Sequence, residues 1–272
     1  MKSWLITGAS RGLGLALANA VLERGDNVVL GARDTASLET VIAAHPQNAL
    51  VVPLDVTRED GIAHAVESAR ERFGSIDVLV NNAGYGYRAA LEEGEPEAIR
   101  RQFDTNVWGP VNLMKAVLPG MRATRSGAIV NVSSISARRC PPGSGYYSAS
   151  KAALESISNA VRKEVEPLGI TVTIVEPGSF RTHFSSSSLD ISPVIIDDYA
   201  PTAGARRRRF EGTQPGDPDK AAEVIIRAVA DDNTPSFLLL GADALETFEA
   251  VAAEQAAVVD QWRAATLATA FD

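Results

Sequence analysis

Tyr147 and Lys151 lie four residues apart in Tyr147-Ser148-Ala149-Ser150-Lys151. On a helix that spacing puts both side chains on one face. An ammonium beside a phenol stabilises the phenolate, so the pair predicts a tyrosine pKa below the usual value of about 10. Such a tyrosine can give or take a proton near neutral pH. Tyr146 is the rival phenol, but no lysine stands four residues from it.

A second group of residues suits phosphate. Thr7-Gly8-Ala9-Ser10-Arg11-Gly12-Leu13-Gly14 follows an apolar run and opens a helical pattern. Glycines there allow a tight turn and bring backbone N–H groups to a pyrophosphate at a helix N-terminus. The spacing is Gly-x-x-x-Gly-x-Gly rather than Gly-x-Gly-x-x-Gly. A carboxylate at the end of the second strand would bond a ribose 2′-hydroxyl and repel a 2′-phosphate. The strand ends Gly31-Ala32-Arg33-Asp34, with Ala32 where the carboxylate is expected. Arg33 with Arg11 could clamp the 2′-phosphate of NADP(H). Asp34, twenty residues after Gly14, is the counter-reading for NAD(H).

Short β-branched runs alternate with helical patterns along the chain. The strand candidates are Trp4 to Thr7, Asn27 to Gly31, Leu50 to Pro53, Asp77 to Val80, Ala128 to Ser133, Ile170 to Val175 and Phe237 to Leu240. Helical patterns include Pro96 to Gly109, Pro110 to Arg125 and Tyr147 to Leu168. This alternation predicts an α/β fold: a single doubly wound domain over 1–272, with about seven parallel strands and helices on both faces. Residues 183–218 break the pattern and read as a substrate lid. Residues 243–272 read as a C-terminal helical extension.

Composition narrows the function. The 272 residues carry 26 Lys and Arg against 34 Asp and Glu, a net charge of −8. That balance argues against nucleic acid as a partner. Cys140 alone can make neither an internal disulfide nor a multi-cysteine metal site. His45, His64 and His183 share no metal-ligand spacing, so no metal is expected. The N-terminal apolar run is too short for a signal peptide, and no run approaches a membrane span. A cytoplasmic protein is the expectation.

Thr7-Gly8-x-x-x-Gly12-x-Gly14, Asp55, Asn81-Asn82-Ala83-Gly84, Asn106, Ser134, Tyr147-x-x-x-Lys151 and Pro177-Gly178-x-x-x-Thr182 follow one another in this order. In these pieces the chain resembles the classical short-chain dehydrogenases/reductases, which have a Rossmann fold. Asn82-Ala83-Gly84-Tyr85-Gly86, the stretch from Phe103 to Gly109, and Gly216-Asp217-Pro218 are similar to the subgroup like 17β-hydroxysteroid dehydrogenases.

The resemblance implies roles. Tyr147 is the general acid/base, and Lys151 holds the nicotinamide ribose and tunes Tyr147. Ser134 hydrogen-bonds the substrate oxygen, with Ser133 as the alternative. Asn106 supports a water linking Lys151 to solvent. Asp55 bonds the adenine amino group, or only caps a helix. Asn82 and Gly84 lie beside the cofactor with Gly8, Ser10, Arg11, Gly12, Leu13 and Gly14. Pro177, Gly178 and Thr182 meet the nicotinamide, Thr182 through its carboxamide.

The expected activity is NADP(H)-dependent interconversion of a carbonyl and an alcohol. The lid residues Phe184, Leu189, Ile191, Val194, Ile195, Ile196, Tyr199 and Phe210 make a mainly apolar small-molecule substrate the expectation. The family often has a glycine near Ala137, where this chain continues into Arg138 and Arg139; these and Arg206 to Arg209 read as solvated, with an acidic partner as the alternative for the first pair. A homodimer or homotetramer is expected. The competing functions are a non-catalytic NADP-binding sensor, and a dehydratase or epimerase using bound cofactor transiently.

Overall fold

The computed structural model describes residues 1–182, 184, 188–207 and 213–271. The strands are Ser3–Thr7 (β1), Asn27–Ala32 (β2), Ala49–Pro53 (β3), Val78–Asn81 (β4), Gly86–Arg88 (β5), Gly127–Val132 (β6), Ile170–Pro177 (β7), Leu189–Ile191 (β8) and Phe237–Leu240 (β9). The α-helices are Gly12–Glu23 (α1), Glu39–Ala44 (α2), Glu59–Phe73 (α3), Pro96–Phe103 (α4), Gly109–Thr124 (α5), Ser136–Arg139 (α6), Gly145–Val165 (α7), Pro218–Ala230 (α8) and Ala242–Leu267 (α9). Seven parallel strands form one sheet in the order β3-β2-β1-β4-β6-β7-β9.

Strand side chains alternate faces. Trp4 and Ile6, Val28 and Leu30, and Val78 and Val80 pack on one face with α1 and α8. Leu5, Val29, Leu79 and Ile129 pack on the other with α3 and α5. Both faces are covered, so the strands are apolar almost throughout, as parallel strands buried on two sides must be. Truncating a fully buried leucine such as Leu5 to alanine costs about 2–5 kcal/mol. A polar ladder crosses the centre. Asn81 Nδ2 donates to Asn131 Oδ1 at 2.8 Å, and Asn131 Nδ2 donates to Ser158 Oγ on α7 at 2.7 Å.

The order reverses at β1, which has β2 on one side and β4 on the other. The crevice for a ligand therefore lies at the carboxyl ends of these two strands. This is the Rossmann arrangement expected from the sequence. Local bounds differ. The helix that carries Tyr147 and Lys151 begins at Gly145 and passes after Val165 into a 3-10 turn, Glu166–Leu168. The two helical patterns between Pro96 and Arg125 join through a π-turn, Asp104–Trp108.

Residues 183–218 are not simply a loop. β8 pairs in parallel with β5, with Gly86 opposite Leu189. Three-residue strands are too short to show a period in sequence. Glu93, 1% exposed, clamps this segment. Its carboxylate accepts from Ala90 N at 2.8 Å and Ile196 N at 2.9 Å and pairs with Arg207, while its carbonyl accepts from Ser192 Oγ at 2.5 Å. Burial pulls this carboxyl up, yet those two N–H groups and Arg207 together hold it below its ordinary value. His183, Ser185 to Ser187, Arg208, Arg209 and Phe210 lie outside the described residues.

α9 docks by its first turns. Asp243 Oδ2 accepts from Ser179 N at 2.7 Å, and the Phe248 ring stacks on Phe237 at 5.7 Å. From residue 252 to 271 the chain is exposed. No described helix is long and apolar enough to cross a membrane.

Candidate active site

α1 starts without a side-chain cap and without an acidic residue in its first turn. Helix α8, by contrast, is capped by Asp217, which accepts from Asp219 N and Lys220 N. The first N–H groups of α1 thus face the crevice as donors for an anion. Gly8 and Gly12 have φ of 64° and 57°. A Cβ on Gly8 would stand 3.0 Å from the Ala83 Cα, so the loop can approach β4 only as glycine. Asn82 Nδ2 fastens the loop, donating to Thr7 O at 2.9 Å and Gly8 O at 3.2 Å. The amide expected at the ribose is thereby engaged with the protein, although Asn82 also lines the crevice.

The crevice has a volume of about 1400 Å³ and runs without a break from the glycine loop to Tyr147. That exceeds an ordinary small-ligand pocket of about 300–1,000 Å³. It has room for a dinucleotide and a second molecule. Gly8, Ser10, Arg11, Gly12, Leu13, Arg33, Asp55, Asn82, Gly84, Ser134, Tyr147, Lys151, Pro177, Gly178 and Thr182 all line it. Gly14 and Asn106 are buried behind that wall. Ala32, Arg33 and Asp34 line it together at the end of β2. The Asp34 carboxylate accepts from Ala36 N at 3.1 Å and so closes its own turn. Asp55 does not cap α3, whose N-cap is Arg58; it accepts instead from Thr57 N at 3.0 Å and Thr57 Oγ1 at 2.8 Å. Burial raises its carboxyl, but the Thr57 bonds and the charges of Arg33 and Arg58 bring it below the ordinary value.

At the other end, Tyr147 is 8% and Lys151 4% exposed, on α7. Ser134, just past β6, lines the crevice beside Tyr147 and accepts from Ser136 N at 3.1 Å. Ser133 turns away: its Oγ donates to Glu155 Oε1 at 2.6 Å. Tyr146 also leaves the site, its hydroxyl donating to Leu91 O at 2.6 Å. Lys151 Nζ donates to Val132 O at 2.8 Å. Gly84 permits this crowding, since a Cβ there would stand 3.3 Å from Nζ and 3.1 Å from Asn106 Oδ1. The π-turn sets Asn106 so that Nδ2 donates to Tyr85 O at 3.0 Å and Ser150 Oγ at 3.1 Å, while Oδ1 accepts from Tyr85 N at 3.1 Å.

The expected lowering of the tyrosine pKa is absent in the protein alone. Burial pushes Tyr147 up to about 12, with only Ser134 opposing it. Burial pushes Lys151 down to about 8, against the nearby Glu155 charge. Both shifts have one cause: the charged forms lose water. The lysine's hydrogen bond goes to the Val132 carbonyl rather than to the phenol.

Two expectations about arginines are corrected. Arg138 is not solvated. It forms a two-pronged pair with fully buried Glu176, at 2.6 Å for each bond, and lies over the Phe237 and Phe248 rings. Arg207 is paired with Glu93, and Arg206 lines the crevice. Arg139 is exposed and lines it too. The sequence reading also missed Tyr85, Arg88, Asp190, Asp243 and Thr247 as lining residues. They come from β8, α9 and the segment around β5, and no motif marks them.

A glycine-loop crevice in a seven-stranded Rossmann sheet, ending at a Ser-Tyr-Lys group, defines a class of dinucleotide-dependent oxidoreductase. Residues 2–190 match the family described as short chain dehydrogenase, and the chain belongs to that family. It is 37% identical over 273 residues to the oxidoreductase BOA17 of Botryotinia fuckeliana (strain B05.10), covering 99% of each chain. It is similar to a short-chain dehydrogenase structure from Streptomyces avermitilis, with TM-score 0.93 and 40% identity over 99% of this chain and 100% of that one. A short chain dehydrogenase from Burkholderia cenocepacia J2315, crystallised in complex with NADP, matches with TM-score 0.75 and 29% identity over 96% and 98%.

Proposed function

We propose that the chain is an NADP(H)-dependent oxidoreductase interconverting a carbonyl and an alcohol on a mainly apolar small molecule. The observation that carries this reading is the convergence of Ser134, Tyr147 and Lys151 in the same crevice as the glycine loop and the uncapped start of α1. The nicotinamide cofactor, when bound, supplies or accepts the hydride. Tyr147 gives its proton to the substrate oxygen as charge develops there, and Ser134 donates a hydrogen bond to that oxygen. A phenol held up to about 12 stays protonated at neutral pH, which suits the reductive direction. Lys151 holds the ribose, and Asn106, through the Tyr85 backbone, braces the wall beside it.

The glycine loop takes the pyrophosphate on the N–H groups of α1, Asp55 takes the adenine amino group, and Thr182 with Pro177 and Gly178 takes the nicotinamide. Arg33 and Arg11 take the 2′-phosphate. The preference for NADP(H) is supported by Ala32 at the strand end and by the engagement of Asp34 with its own turn. The complex formed by the Burkholderia neighbour points the same way. The described part of residues 183–218 serves as the lid, with the Phe184 ring tilted against Tyr147 at 5.6 Å so that water is kept from the reacting carbon. The reading extends to a cytoplasmic homodimer or homotetramer.

The test is oxidation of NADPH and of NADH against ketones and aldehydes, with Tyr147→Phe beside the parent. Turnover with NADPH that falls about a thousandfold or more in the variant, with NADPH binding kept, is the expected result. Turnover that survives in Tyr147→Phe would overturn the role of Tyr147, and a preference for NADH would overturn that of Arg33.

A further inference from the structure

Several arginines of this fold have a carboxylate partner. Arg138 has Glu176, Arg207 has Glu93, and Arg24 has Glu223. Arg139 and Arg206 differ. Among the described residues neither has a carboxylate partner, and both line the crevice that holds Ser134 and Tyr147. Arg139 is at the end of α6, the short helix that follows Ser134. Arg206 closes the 3-10 turn Gly204–Arg206, and its carbonyl accepts a hydrogen bond from Arg88, which fixes the turn. The Arg206 Nε is buried with no acceptor among the described residues.

The two guanidiniums are close enough to feel each other. Burial and then the Arg139 charge push Arg206 below its ordinary value. Two like charges lining one crevice, one with a buried donor unsatisfied, are an unfavourable arrangement that a bound anion would relieve. Among the described residues no crevice carboxylate forms an ion pair with either arginine, and Asp243 is tied to Ser179 N. Asp34 and Asp55 lie toward the glycine loop, and Asp104 and Asp190 act on Tyr85.

We infer that the substrate is an amphiphile: its carbonyl lies at Tyr147, its apolar body under the lid, and its far end carries an anionic group held by Arg139 and Arg206. Carboxylate and phosphate share the planar or tripod oxygens that a guanidinium fork matches. This rests on the oxidoreductase reading for the position of the carbonyl, but the anion site is testable without turnover.

The experiment has two arms. In the first, decanoate, decyl phosphate and decanol are titrated by calorimetry into the protein loaded with oxidised NADP. At least one of the two anions is expected to bind tenfold or more tighter than the alcohol, and which one does so identifies the group. Arg206→Gln and Arg139→Gln are expected to erase that difference, and Arg206→Lys to keep part of it. In the second, levulinate and its longer homologues are compared with their methyl esters as substrates of NADPH. The acid-to-ester ratio of kcat/KM is expected to exceed ten at one chain length and to fall tenfold or more in Arg206→Gln. Equal binding of anion and alcohol, or a preference that survives both arginine variants, overturns the anion site. A protein that binds the anion through these arginines yet reduces no ketone overturns the oxidoreductase reading and leaves the anion site standing.

Discussion

The two ends of the crevice are built in different ways. The glycine-loop end is made mostly of backbone: parallel ladders, an uncapped helix and positive-φ turns, with Thr7 Oγ1 accepting from Asn82 N and Ala83 N at 3.0 Å each. The Arg206 end is made of side chains: Glu93 holding Ile196 and Arg207, Phe184 against Tyr147, and arginines drawn from three separate segments. Backbone geometry depends on few residue identities, and side-chain packing on many. The first end can therefore stay constant while the second is rebuilt for a new substrate.

The contrast can be broken most forcefully at Glu93. Replacing it with alanine leaves Arg207 uncompensated and two N–H groups without an acceptor. Loss of a partner from a buried pair costs about 3–5 kcal/mol. The expected result in a urea titration is a large fall in midpoint, with NADPH affinity in the folded protein nearly unchanged. A matching loss of NADPH affinity would mean that the two ends are not separable.

Gly8→Ala strikes the other end. Its φ of 64° and the 3.0 Å approach to Ala83 make the substitution strained, at about 1–2 kcal/mol for the left-handed backbone alone. NADPH binding, followed by its fluorescence, is expected to weaken more than folding does. A smaller effect is expected for Arg33→Ala. About a tenfold loss of NADPH affinity, near 1.4 kcal/mol, with NADH affinity held constant, would sharpen the account of the 2′-phosphate.

The smallest effect concerns pH and the seam between the ends. Glu155, four residues after Lys151, is pushed up to about 7 by burial; Ser133, Arg138 and Lys151 pull the other way, and Glu176 adds to the rise. Its folded value lies above the ordinary 4.5, so its contribution to stability is full below that pH and is lost as pH rises through about 7. Glu155→Gln is expected to flatten the decline in urea midpoint between about pH 5 and about pH 8. An unchanged slope would place the titration elsewhere.

Legibility in the sequence follows the same division. The seven strands, α1, the glycine loop and Tyr147 with Lys151 could be read because each depends on local order: a short β-branched apolar run for a strand, a glycine where the chain must turn, four residues on a helix. Asn106 could be named from its motif but not located behind the wall, because a π-turn leaves no periodic trace. Arg138 was misread because its partners, Glu176, Phe237 and Phe248, are distant in sequence. The same holds for Glu93: nothing near it announces Ile196 or Arg207. The rise in the Tyr147 pKa was also hidden, since spacing shows which charges are neighbours but not how much water burial removes.

Helix α9 carries a consequence for time scales. Its first turns are tied to Ser179 and Phe237, whereas residues 252 to 271 are exposed within the chain. Amide protons there open by local fraying, without unfolding of the sheet. Deuterium should enter the distal half of α9 long before it reaches β1 or β6, in a gradient running down the helix toward the Asp243 anchor. Trp262, 60% exposed on that half, and Trp4, 2% exposed in β1, would then report two different melting processes in one fluorescence trace.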